Sequence, residues 1–125
     1  MKKLLLVLAL LPFFAFQCRK EPLGKCLQGK VIRISCASYV IQVLNNDSIG
    51  EDHWKDVMDG EQKIYDNVFT LSGKCKISPS YKAGDIIYFT IEKPQADDCI
   101  ICTMYDAPPQ TKFQVKNISS SPCEQ

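Results

Sequence analysis

The chain has 125 residues, with 15 basic and 14 acidic side chains, a formal net charge of +1, and 46% hydrophobic residues. That near-neutral balance, without a basic block, argues against a nucleic-acid partner, since such binding rests on neutralising phosphates. Seven cysteines in so short a chain speak for an oxidising compartment.

The first elements read as an address label. Lys2 and Lys3 make a short positive region, and positions 4–16 are apolar throughout apart from the bend at Pro12. As a helix that run reaches only about 20 Å, short of the roughly 30 Å hydrocarbon core. It therefore suits the core of a signal peptide rather than a membrane-spanning helix. Cys18 follows, and after it the charged group Arg19-Lys20-Glu21. A cysteine so placed resembles the lipobox of bacterial lipoproteins. Ala15-Phe16-Gln17 stands where the usual box has a small residue next to the cysteine, so the closer likeness is to the looser boxes of Bacteroidota-type lipoproteins. The resemblance implies that residues 1–17 are a signal peptide and that the Cys18 thiol carries diacylglyceryl, with palmitate-type chains. It also implies a place in the cell envelope at the outer membrane. Lys20-Glu21 looks like a short surface-export signal, so the periplasmic face and the cell surface both remain open. At about 0.8 kcal/mol per buried methylene, two or three acyl chains hold a protein firmly. The competing reading is an ordinary secretory signal whose cysteine joins a disulfide.

On that resemblance residues 18–25 are expected to be the lipidated tether, where Pro22, Gly24 and charged residues leave little to pack. Residues 26–125 are then a single β domain. Loss of Lys2 and Lys3 takes the fifteen basic residues to thirteen against fourteen acidic, a net charge of −1.

Strand signals begin at Lys30. Period two over residues 31–36 places Ile32, Ile34 and Cys36 on one face, and residues 39–44 are a second β-rich run. Asn45-Asn46-Asp47-Ser48 ends it with turn chemistry. Across residues 51–63, Trp54, Val57 and Met58 have the spacing of a short helical turn. Residues 65–71 read as a strand closed by Ser72-Gly73, and residues 86–91 as the clearest strand, with Ile87, Phe89 and Ile91 on one face. Residues 99–105 read as another strand, stopped by Pro108-Pro109. The last covers residues 112–118, with Phe113, Val115 and Asn117 opposite Gln114 and Lys116.

Five to six short strands with turns between them predict an all-β fold, a small barrel or a β-sandwich. The long opening strand pair broken at Ala37-Ser38, with the Lys82-Ala83-Gly84-Asp85 turn before the 86–91 strand, is similar to a five-stranded oligonucleotide/oligosaccharide-binding-type (OB-like) barrel. An immunoglobulin-like sandwich is the alternative.

With Cys18 lipidated, six cysteines remain, an even number that predicts up to three disulfides in any of fifteen connectivities. Both ends of a closed β domain tend to lie together at the surface, so Cys26 is expected to bridge Cys123. Cys36, Cys75, Cys99 and Cys102 are left to form two more bridges in an open pairing.

Cys99-Ile100-Ile101-Cys102 is the one motif with redox spacing. A reactive pair of that kind needs a helix N-terminus to lower the first thiol's pKa, and here the cysteines flank isoleucines in a strand pattern. A metal is not expected, since His53 is the sole histidine and a structural zinc site needs four ligands, usually in two close pairs. Asp47, Glu51 and Asp52 lack calcium-loop spacing. Serine has no nucleophile context, and no cofactor motif is present. Aromatic residues are the richer class: Trp54, Tyr81, Tyr88 and Tyr105, with Tyr65, make a binding platform for carbohydrate or peptide if they share a face, and partly buried walls if they do not. The expectation is a non-enzymatic, membrane-anchored binding module meeting an envelope protein or a carbohydrate. The alternative is a thiol-disulfide oxidoreductase using Cys99 and Cys102.

Overall fold

A computed structural model describes residues 24–77, 80–96, 99–100 and 102–124. The expected signal segment 1–17, Cys18 and the tether as far as residue 23 lie outside the described residues, as does Ile101. Seven strands follow one another: β1 (Leu27–Ile34), β2 (Tyr39–Val43), β3 (Trp54–Lys55), β4 (Ile64–Tyr65), β5 (Val68–Leu71), β6 (Ile86–Glu92) and β7 (Lys112–Ser119). A 3-10 turn, Lys74–Lys76, leaves β5. Five strands close a barrel in the order β1-β2-β5-β7-β6, and β3 and β4 form a separate two-stranded hairpin. Every barrel pairing is antiparallel except β5 with β7. That order, with its one parallel pair, is the arrangement of an OB-like barrel and not of a sandwich.

Alternation fills the barrel. Leu27 and Val31 of β1, Ile41 and Val43 of β2, Phe69 and Leu71 of β5, and Ile87, Phe89 and Ile91 of β6 are buried in one cluster, with Phe113, Val115 and Ile118 of β7 packed on it. Phe69 meets Phe89 and Phe113 edge-on, with ring centroids 6.0 and 5.4 Å apart. At Gly29 an added Cβ would lie 2.6 Å from the Phe89 ring, so only glycine lets that ring cross β1. The 86–91 strand thus buries the three side chains expected of it.

Four local expectations are corrected. Trp54, Val57 and Met58 do not sit on a helical turn: Trp54 pairs with Tyr65 and Lys55 with Ile64, while Val57 and Met58 stay exposed. Burial of Trp54 against Val40 and Val68 outweighs the weak helical spacing. The expected 65–71 strand is two pieces, split where Asn67 takes a positive φ of 58°. In the last strand Asn117 also has positive φ, 53°, and the β6–β7 register shifts there, so Ile118 and not Asn117 packs on the core. The described residues of the 99–105 stretch belong to no strand, and Ile100 is fully exposed. Its hydrophobic run was the signal, but Cys99 and Cys102 tie this segment to two other parts of the chain by disulfides.

β1 departs from simple alternation too. Its register with β2 shifts between Val31 and Arg33, which opposes Ile32 and Arg33 to a short stretch of partner. Such a bulge re-aims side chains. Ile32 therefore packs outside the barrel on Val40, Trp54 and Val68, whereas Ile34, paired with Tyr39, stands at one barrel mouth. The face shared by Ile32 and Ile34 in the sequence is broken.

Candidate functional site

Two groupings of side chains stand out: a buried polar network on the outside of the barrel and a cleft at one mouth. The bulge creates the first by placing Arg33, 9% exposed, on the same side as Val40 and beneath the β3–β4 hairpin. Its Nη1 donates to Asp56 Oδ1 at 2.5 Å, and its Nη2 donates to the Asp106 carbonyl at 2.8 Å and to Ser38 Oγ at 3.3 Å. The guanidinium lies 5.1 Å from the Trp54 ring centroid, in cation–π range. Asp106 Oδ2 accepts from Ser35 and Ser38 hydroxyls at 2.5 and 2.6 Å. Burial alone would push the Asp106 carboxyl up, but those two hydroxyls and the Arg33 charge outweigh it and hold it below the usual carboxylate range. Trp54 Nε1 donates to the Ala107 carbonyl and Thr70 Oγ1 to the Pro109 carbonyl. The network thus pins three pieces together: the hairpin, the β1–β2 turn and the loop 106–109. A charge-paired carboxylate kept ionised beneath that cover is suited to holding structure rather than to moving protons.

Sequence reasoning missed Arg33, Asp56 and Asp106. Only an arginine interrupting a hydrophobic strand hinted at it, and the bulge that gives that arginine a polar neighbourhood has no local signature.

Three bridges staple the domain: Cys26–Cys123, Cys36–Cys102 and Cys75–Cys99. The first joins the two ends of the barrel as expected, since Cys26 precedes β1 and Cys123 follows β7, the two strands that flank β6. Cys99 and Cys102 belong to different bridges, which fixes the pairing left open and divides the redox-spaced motif between two structural links.

The cleft lies at the mouth where β1 ends and β2 begins. It has a volume of about 270 Å³ and is lined by Ile34, Tyr39, Ile77 and Tyr81, with Lys74 and Cys75 at its side. Tyr39 is 6% exposed and packs into the barrel core, so it forms the floor. Its hydroxyl is buried without a hydrogen-bond partner. Burial first, then the Tyr81 and Asp85 charges, push its pKa up to about 12. The Lys74 ammonium donates to the Cys36 carbonyl. Two roomier grooves, of about 630 and 800 Å³, lie at the other end, beside Gly24. Their walls mix polar side chains such as Lys93, Lys116, Asn117 and Ser121 with apolar surface from Ile91 and Pro122.

The expected aromatic platform does not assemble as one surface. Trp54 is 7% exposed and belongs to the outer cluster with Tyr65, at 6.1 Å between ring centroids. Tyr88, on β6, accepts a hydrogen bond from Gln28 Nε2 through its hydroxyl. Tyr105 is 80% exposed, next to the pinned Asp106. Tyr81 alone of the four lines the cleft. Among the described residues no group of three or more His, Cys, Asp or Glu could hold a metal ion. His53 points into solvent, and Glu51 and Asp52 instead accept from the Thr111 and Asn67 backbone N–H groups. Compared with known proteins, the chain matches no protein-family model and no curated protein sequence.

Proposed function

We propose that the protein is a non-enzymatic binding module held on the cell envelope by lipid on Cys18. The observation that carries this reading is the division of Cys99 and Cys102 between two different bridges. A dithiol enzyme must close and open a bond between its own two cysteines, and here that would require breaking two structural links first. The apolar run before Cys18 and the charged group after it support export and lipid attachment. The closed, cross-linked barrel supports binding as well, because a rigid frame presents a site without an ordering cost. A carbohydrate or an envelope protein is the partner class that fits this location, and nucleic acid does not fit the charge.

Two assays test the reading. Membrane-purified protein should neither reduce insulin nor be reduced rapidly by thioredoxin, and Cys18→Ser should abolish incorporation of labelled palmitate. Catalytic disulfide exchange lost in Cys99→Ser would refute the binding module in favour of the oxidoreductase. Undiminished palmitate labelling of Cys18→Ser would refute the anchor.

A further inference from the structure

We infer that the mouth cleft formed by Ile34, Tyr39, Ile77 and Tyr81 is a binding site for a small, neutral, single-ring molecule or ring substituent that presents a hydrogen-bond acceptor to the Tyr39 hydroxyl. This deepens the binding-module reading and rests on it.

Size, lining and an unpaired donor each contribute. At about 270 Å³ the cleft lies just below the roughly 300–1,000 Å³ range of drug-sized sites, which limits the occupant to about one ring. Ile34 is 43% exposed, an apolar side chain left in water at the rim of a concavity, and Ile77 and the Tyr81 ring extend that surface. A buried polar group without a partner is uncommon and marks a place where another group is expected. Tyr39 is such a group, and no other polar side chain lining this cleft, among the described residues, is both buried and unpartnered. Its phenol keeps its proton at neutral pH and so offers a donor. Asp85 near Tyr39 disfavours an anion there and opposes the charge that Lys74 keeps at the cleft's side, so a neutral acceptor, a carbonyl or ether oxygen, fits the hydroxyl.

Position agrees with this use. Gly24 and Cys26 bring the chain in at the start of β1, and the cleft lies at its far end, eight residues on. The seven steps of ~3.3 Å from Leu27 to Ile34 make about 23 Å, so the cleft lies at the end of β1 opposite the tether's attachment.

The test uses the full lipidated chain in lipid nanodiscs with isoleucine δ-methyl NMR. The probes are acetophenone and N-methylbenzamide, ethylbenzene as the acceptor-free analogue, and benzoate as the anion, with empty nanodiscs as the blank. Acetophenone or N-methylbenzamide should shift the Ile34 and Ile77 methyls in a saturable way and bind better than ethylbenzene and benzoate. Tyr39→Phe, which removes only an unpaired hydroxyl, should weaken the acceptor compounds about fivefold and leave ethylbenzene unchanged. Tyr81→Ala should weaken all of them. Silence at Ile34 and Ile77, a preference for benzoate, or equal affinities in wild type and Tyr39→Phe would each overturn the assignment. Silence there with saturable shifts at Ile64, on the outer hairpin, would overturn this site while leaving the binding-module reading intact; that reading fails instead on the disulfide-exchange assay.

Discussion

Removing the Cys26–Cys123 bridge is the perturbation whose size the topology constrains best. Taken alone, the bridge closes a loop of 97 residues, for which chain entropy gives about 4.7 kcal/mol. The bridges are nested, however: Cys75–Cys99 lies inside Cys36–Cys102, which lies inside Cys26–Cys123. With the middle bridge intact, the unfolded chain can pass from Cys36 to Cys102 directly. The outer bridge then closes only the ten residues from Cys26 to Cys36 and the 21 from Cys102 to Cys123. For a loop of that size the same model gives about 3.7 kcal/mol. For a domain of this length such a loss lowers the melting temperature by on the order of 15–30 °C. The assay is thermal unfolding of Cys26→Ser, Cys123→Ser and the double variant without reductant. Each single variant should fall by that amount and the double variant little further, because the bridge is already gone. If the double variant fell by the sum of the singles, the two cysteines would be acting separately and the bridge would be refuted. A loss of under about 1 kcal/mol would show that the ends of the barrel hold together without it.

Three further outcomes are expected. Arg33→Ala should destabilise the domain by about 3–5 kcal/mol in urea titrations, since it leaves Asp56 and Asp106 buried without their cation; a change under 1 kcal/mol would mean that water replaces it. Asp106 has a depressed folded pKa, so its contribution is present above the unfolded value of about 3.9 and disappears as pH falls through the folded one. Stability measured from pH 6 down to pH 2.5 should therefore drop below about pH 4, and Asp106→Asn should flatten that slope. Tyr39 has the opposite sense: its folded pKa is raised to about 12, so the stability it lends is complete below about pH 10 and is lost as pH climbs through the folded value. Ultraviolet titration of the phenols should show one tyrosine ionising last, only with unfolding, and Tyr39→Phe should abolish that step.

What was legible in the sequence was the barrel, because its strands alternate. Ile87, Phe89 and Ile91 read correctly as one inward face, and Cys26 and Cys123 could be paired because closing a barrel brings its ends together. Three things were hidden, each for a physical reason. A bulge adds a residue without changing composition, so the break of face at Ile32 and the burial of Arg33 left no periodic trace. Positive φ at Asn67 and Asn117 reset the alternation at residues whose side chains tolerate that conformation without announcing it. The 99–105 run looked like a strand because isoleucine favours strands, yet disulfides to Cys75 and Cys36 hold that segment instead. Of the four aromatics proposed as a platform, Trp54 is hidden by the very hairpin it helps to build, and only Tyr81 reaches the cleft. Tyr39, the floor, lies in a β-rich run and has nothing in the sequence that separates it from ordinary core.

The most direct measurement is mass mapping of the membrane-purified chain, alkylated under denaturing conditions without reductant. A lipid-anchored, non-redox barrel should give an N-terminal peptide that begins at Cys18 and carries the mass of two or three acyl chains. The other six cysteines should appear unalkylated, in peptides joined as Cys26 to Cys123, Cys36 to Cys102 and Cys75 to Cys99. An alkylated, lipid-free Cys18, or a peptide with Cys99 bonded to Cys102, would contradict it.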